Sequence, residues 1–93
     1  MKDLIYYSAL FDYYGELLSD KEKDYFKDYY FENLSLQEIA DINKISRNAV
    51  SKVIKNAKEK MEHYENILKL LNKKEKIKKY LDELSFKKIE KYI

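Results

Sequence analysis

Ninety-three residues with no cysteine, no proline and a single glycine suit one domain, just large enough to bury a core without covalent help. Without thiols neither a disulfide framework nor a thiolate metal site is available. The scarcity of turn residues favours long helices over a β fold. The formal net charge of +2 conceals a polarity: residues 1–43 carry −6, residues 44–60 carry +5 and residues 61–93 carry +3. An acidic front therefore adjoins a basic middle suited to an anionic partner. No apolar run approaches the length of a membrane span and no basic-then-apolar leader opens the chain, so the expectation is a soluble cytoplasmic protein with no membrane partner.

In chain order, "LIYYSALFDYYGELL" sets Leu4, Tyr7, Leu10, Phe11, Tyr14, Leu17 and Leu18 at helical spacing, the stripe of an amphipathic first helix. Tyr6, Asp12, Tyr13 and Glu16 fall off that stripe. Gly15 sits inside the pattern, where it costs roughly 1 kcal/mol against alanine, and points to a close contact with a neighbouring helix. Ser19 with Glu22 three residues on forms a capping-box pattern. The second helix follows it, with Tyr25, Phe26, Tyr29 and Tyr30 on one face. Ser35 and Glu38 repeat the box, and Leu34 is placed to staple onto Ile39. The third helix, "LQEIADI", spans about two turns and is too short to stand without packing. Ser46 caps the fourth, with Ile45 stapled to Val50. That helix shows no clear stop before Asn72; Val50, Val53, Ala57, Met61, Tyr64, Leu68 and Leu71 run along it at spacings close to a heptad seam. A fifth segment carries Ile77, Leu81 and Leu84, then Phe86, Ile89 and Ile93, with Ser85 as a cap or interruption.

Two capped helices joined by a tight turn match the helix-turn-helix pattern, whose second helix enters a major groove. The motif spans residues 35–56 of a single domain covering 1–93, with a C-terminal helical extension from about 57 to 93. Ile39, Ala40, Ile45, Val50 and Val53 fall where its core belongs, and Ala40 must be small because the helices cross there. The turn reads Ile42, Asn43, Lys44; Asn43, the residue suited to a left-handed backbone, comes one position earlier than the motif usually has it, so a slightly altered turn is expected. The outward positions are then Lys44, Ser46, Arg47, Asn48, Ser51, Lys52 and Lys55, with Asn56 at the margin. All can contact bases or phosphates. Neutralising about four phosphates would give a log–log salt slope near −3 to −4. A lysine-faced solvated helix is the alternative reading of the same residues.

The string from Leu10 to Glu65, "LFDYYGELLSDKEKDYFKDYYFENLSLQEIADINKISRNAVSKVIKNAKEKMEHYE", resembles the YlxM-like proteins of Gram-positive bacteria and mycoplasmas. Their opening, L-F-[DE]-[FY]-Y-G-x-L-L-[ST], is followed by a tyrosine-rich helix, then [DN]-L-S-L-x-E-I-A and S-R-x-A-V. The likeness runs from about residue 10 to residue 71. It implies an all-α fold like sigma-factor region 4, a bundle of about five helices with a long fourth helix and a C-terminal helix. It also implies a regulatory link to the signal recognition particle of co-translational targeting, because such proteins are typically encoded beside its GTPase. "SKVIKNAKEK" departs from the commoner "YDNIKRTEK" and makes this chain's helix-four face more basic.

No catalytic constellation is present. His63, the only histidine, lies between glutamates as a surface side chain, and one histidine with Glu62 and Glu65 rarely holds metal. No glycine-rich phosphate loop exists. No enzyme, metal or cofactor is therefore expected. Two kinds of partner stay open: duplex DNA read by a dimeric transcriptional regulator, or the particle's RNA and GTPase contacted by an adaptor. The exposed tyrosines suit either the rim of a core or the stacking of bases. Met61, Tyr64, Leu68 and Leu71 need burial beyond the motif, which points to a homodimer completed by the fifth helix.

Overall fold

A computed structural model describes residues 2–83; Leu84, Ser85, Phe86, Ile89 and Ile93, and any role of theirs in a C-terminal seam, lie outside the described residues. The order is α1 (Lys2–Tyr14), a 3-10 turn (Gly15–Leu17), α2 (Asp20–Tyr30), α3 (Leu36–Asn43), α4 (Arg47–Leu68) and α5 (Leu70–Glu83). The all-α helix-turn-helix fold is thus present, with five helices and no strand among the described residues.

The helix starts are built as their local chemistry dictates. Ser19 Oγ accepts from the Glu22 N–H while Glu22 Oε1 accepts from the Ser19 N–H, and Ser35 with Glu38 does the same. Each box satisfies two backbone donors that a helix start would leave unpaired. Ser46 Oγ accepts from the Ala49 N–H at the head of α4.

Two apolar clusters meet on α4. In the first, Leu10, Tyr14, Leu18 and Phe26 close over Ala57 and Met61. In the second, Tyr25, Ile39 and Ala40 close over Val50 and Ile54. The buried stripe of α4 is therefore Val50, Ile54, Ala57 and Met61, at spacings of four, three and four. This corrects the sequence reading at one position: Val53 is only half-buried, and Ile54 takes the core place. A straight α-helix drifts relative to a strict seam, and the stripe follows the helix.

Helix α1 departs from its expected stripe at both ends. Leu4 and Leu17 are exposed, Leu17 because the chain tightens into the 3-10 turn, while Tyr13 packs against the first cluster. Gly15 is buried, and a Cβ there would stand 3.0 Å from the Phe11 ring. That ring cannot retreat: it stacks on Phe26 at 4.9 Å and meets Phe31 edge-on at 5.4 Å. The glycine is needed for room, and the close contact lies with its own helix rather than a neighbouring one.

Helix α4 ends at Leu68 rather than running to Asn72. Lys69 adopts a left-handed conformation (φ 54°), and α5 turns back onto α1 and α4. The joint is held by side chains distant in sequence. The Glu65 carboxylate accepts from the Leu71 and Asn72 N–H groups, both at 3.2 Å, and from the Tyr14 hydroxyl at 2.6 Å. The Tyr14 oxygen in turn accepts from the Leu70 N–H at 3.3 Å. Glu65 thereby caps α5, and burial together with this bond pushes the Tyr14 hydroxyl above its ordinary range. The continuous seam is broken here: Met61 is buried, Tyr64 and Leu71 are half-buried and Leu68 is exposed.

Gly15→Ala is expected to lower stability by about 1–2 kcal/mol through overpacking of the Phe11 ring, read as a fall in thermal midpoint. An unchanged or higher midpoint would show that the ring stack yields.

Candidate nucleic-acid interface

The helix-turn-helix pair places Ile39 and Ala40 of α3 against Val50 and Ile54 of α4. Ala40 is fully buried, as a close helix crossing requires. Leu34 and Ile45 both pack against this cluster, which is the role of a staple. The turn differs in detail from the sequence reading. Asn43 is the last helical residue, and its Nδ2 donates to the Ile39 carbonyl at 2.8 Å. Lys44 takes the left-handed place instead (φ 55°), and the Ile45 N–H closes back on the Ala40 carbonyl at 3.1 Å, a Schellman-type ending. Asparagine tolerates positive φ, but here Asn43 stays helical and its side chain adds a second donor to the Ile39 carbonyl.

All eight positions singled out as contact residues lie on the surface: Lys44, Ser46, Arg47, Asn48, Ser51, Lys52, Lys55 and Asn56 are exposed. They are not equivalent. Ser46 Oγ is engaged as the cap of α4, and Asn56 lies round the helix, beside Glu22, Glu59, Lys60, His63 and Tyr64 along a shallow cleft. The other six project from the turn and from the first two and a half turns of α4. Two lysines that add to the basic tract face elsewhere. Lys58 lies over the rings of Tyr7 and Tyr30, at 4.6 and 5.8 Å from their centroids, and Lys60 bonds Glu22 Oε1 at 2.9 Å. Lys55 reaches Glu59 at 4.0 Å, with both side chains mostly exposed; such a contact contributes little in water. The cations presented outward on this face are thus Lys44, Arg47, Lys52 and Lys55.

The second half of α4 is built differently. Glu62 accepts from the Tyr7 hydroxyl and Glu65 from Tyr14, so its acids fasten α1. Burial and the Glu62 carboxylate raise the Tyr7 hydroxyl above its usual range. His63 is exposed and lies beside Tyr64. Among the described residues no group of three His, Asp or Glu side chains is placed to hold a metal ion. No helix among them is long and apolar enough to cross a membrane.

Comparison with known proteins matches residues 1–93 to the family described as "Putative helix-turn-helix protein, YlxM / p13 like". The chain belongs to this family. The match extends over both ends of the stretch that carried the resemblance in sequence. A UPF0122 protein of Malacoplasma penetrans is 48% identical over 69 residues, 74% of this chain and 64% of its own length. The corresponding protein of Caldanaerobacter subterraneus is 37% identical over 88% of this chain and 70% of its own, and that of Clostridium botulinum 38% identical over 99% and 84%. This chain therefore spans less than two thirds of the length of the Malacoplasma relative. What the family description names is the helix-turn-helix, the motif that α3 and α4 form here.

One ion pair behind this face carries a pH dependence. Burial pushes the Glu22 carboxyl up, but the Lys60 ammonium and the Ser19 N–H and hydroxyl outweigh it, and the net shift is downward. A carboxyl lowered on folding contributes stability that is complete above its unfolded value and is lost as pH falls through the folded one. Lys60→Met is expected to move the acid unfolding transition to higher pH, followed by far-ultraviolet circular dichroism against pH. An unmoved transition would mean that the capping box alone holds the carboxylate.

Proposed function

We infer that this protein is a regulatory accessory factor of the signal recognition particle pathway and binds nucleic acid through the N-terminal half of α4. One observation carries the nucleic-acid part. Lys44, Arg47, Lys52 and Lys55 stand outward together on the N-terminal half of α4 and the turn before it, with Asn48 and Ser51 between them, while Lys58 and Lys60 of the same tract are engaged elsewhere. Cations position a helix on phosphates, and amides and hydroxyls among them can address base edges. The targeting-pathway part is supported by the resemblance carried by the opening, the tyrosine-rich helix and the S-R-x-A-V string. The partners on this reading are duplex DNA or the particle's RNA, and the particle's GTPase. An RNA duplex has too deep and narrow a major groove for an inserted helix, so RNA would be met at phosphates or loops.

The test titrates the protein with random duplex DNA, with the particle's RNA and with its GTPase at two salt concentrations. Nucleic-acid binding is expected with a log–log salt slope near −3 to −4, as about four neutralised phosphates require. Lys52→Glu is expected to weaken it across all sequences and flatten the slope by about one or two. Salt-resistant binding to the GTPase alone would remove the nucleic-acid half of the proposal.

A second reading, a dimeric DNA-binding transcriptional regulator, is favoured by one feature. Ile67, Leu68, Leu70, Ile77 and Tyr80 are all exposed around the α4–α5 joint and along α5. A helix rich in lysine with such a stripe is marginal unless it packs. On this reading a second copy covers that stripe and brings two α4 helices to successive major grooves. Sedimentation is expected to show a dimer that Ile77→Glu dissociates; a monomer at every concentration would dispose of it.

A further inference from the structure

The tyrosines left outside the core have a place beside the α4 face. Two clefts, of 220 and 390 Å³, both have Tyr29 and Tyr30 in their walls. Both are also lined by the start of α1 and the start of α3, and the two rings are the wall they share, which makes up the Tyr29–Tyr30 groove. Its edge nearest the basic face is Ser51 and Lys55 of α4, with Lys58 beside them. Tyr29 is exposed and meets Tyr30 edge-on at 5.1 Å. Tyr30 is held by Phe26, stacked at 4.6 Å, and by the Lys58 ammonium over its ring at 5.8 Å from the centroid, so its ring is a fixed support. Asp3 of α1 lines the same cleft as Ser51 and Lys55.

This arrangement has the polarity of a nucleotide. A cationic and hydroxyl edge suits the phosphate, an exposed aromatic face on a rigid neighbour suits the base, and a carboxylate in the same cleft accepts from an exocyclic amine, as carboxylates do from cytosine N4. We propose that the Tyr29–Tyr30 groove takes an unpaired nucleotide bearing an amino-substituted base, continuous with a duplex lying on α4. The inference rests on the nucleic-acid reading above and adds a specificity that α4 alone does not supply: a preference for junctions of paired and unpaired strand. Ser51 and Lys55 belong to both surfaces, so a strand leaving the duplex at this edge enters the groove without crossing uncharged ground. The chemistry is shared by RNA loops and frayed DNA, which the test separates.

The test compares a blunt duplex with the same duplex carrying a single-stranded tail containing 2-aminopurine, in ribo and deoxyribo forms. The full chain is expected to bind the tailed form about tenfold more tightly, consistent with one base stacked on an aromatic ring, and to quench the 2-aminopurine fluorescence. Tyr29→Leu is expected to abolish both the gain and the quenching, and Tyr29→Phe to keep them, with circular dichroism showing both variants folded. Adenosine tails are expected to bind better than uridine tails, and Asp3→Asn to shrink that difference. A gain confined to the ribo form assigns the groove to RNA, and an equal gain in both assigns it to unpaired strand of either kind. Equal affinity for tailed and blunt duplexes, or a gain that survives Tyr29→Leu, would overturn the groove while leaving the α4 reading intact. Failure of every substrate to bind would overturn both.

Discussion

One face of one helix serves both halves of the molecule. Val50, Ile54, Ala57 and Met61 lie along α4 so that its first turns close the helix-turn-helix core and its later turns close the core against α1 and α2. Every other helix docks on it or on a helix that does. Because that stripe is committed, the opposite side is left to solvent, and its chemistry is free to serve a partner. The charge segregates along the same axis. The outward-facing cations collect at the N-terminal end, while Glu62 and Glu65 farther along are spent as acceptors for Tyr7 and Tyr14.

This division explains how a chain of nearly balanced charge can present a basic surface. Of the six basic residues between 44 and 60, Lys58 and Lys60 face the body, where they contact aromatic rings and Glu22. The remaining four are unopposed at the motif's leading edge, save for the weak Lys55–Glu59 contact. The acidic front of the sequence is spread over α1 to α3, and two of its members, buried Glu22 and exposed Glu38, are used as caps that each close a box. The aromatic residues divide in the same manner. Tyr14, Tyr25 and Phe26 are buried, while Tyr29 is left exposed beside the half-buried Tyr30.

Much of this was legible because it is local. A serine three residues ahead of a glutamate makes a capping box with no help from the rest of the chain, and both boxes stand where that spacing put them. The cap at Ser46, the smallness of Ala40 and the outward placement of the α4 side chains followed from helical period alone. The errors share one physical origin, which is competition that local pattern does not weigh. Asn43 suits a left-handed turn, yet its amide is better used on the Ile39 carbonyl, and the strain passes to Lys44. Val53 and Ile54 are adjacent apolar residues, and Ile54 is the one in line with Val50, Ala57 and Met61, while Val53 packs at the edge of the cluster. Leu17 is turned out because the chain tightens at Gly15–Leu17, and Tyr13, off the expected stripe, packs against the first cluster.

The path after Leu68 shows the boundary most clearly. The sequence by itself determined an all-helical chain, its capped starts, the helix-turn-helix and the basic tract, since each depends on residues a few positions apart. Nothing near Lys69 is glycine or proline, so no local signal ends α4 there. The stop is decided by Tyr14 and Glu65, more than fifty residues apart in the chain, whose side chains together engage the N–H groups of Leu70, Leu71 and Asn72. The Tyr14 contacts reinforce the local Glu65 bonds only once α1 already lies on α4, and a contact made by folding is invisible to any reading of spacing.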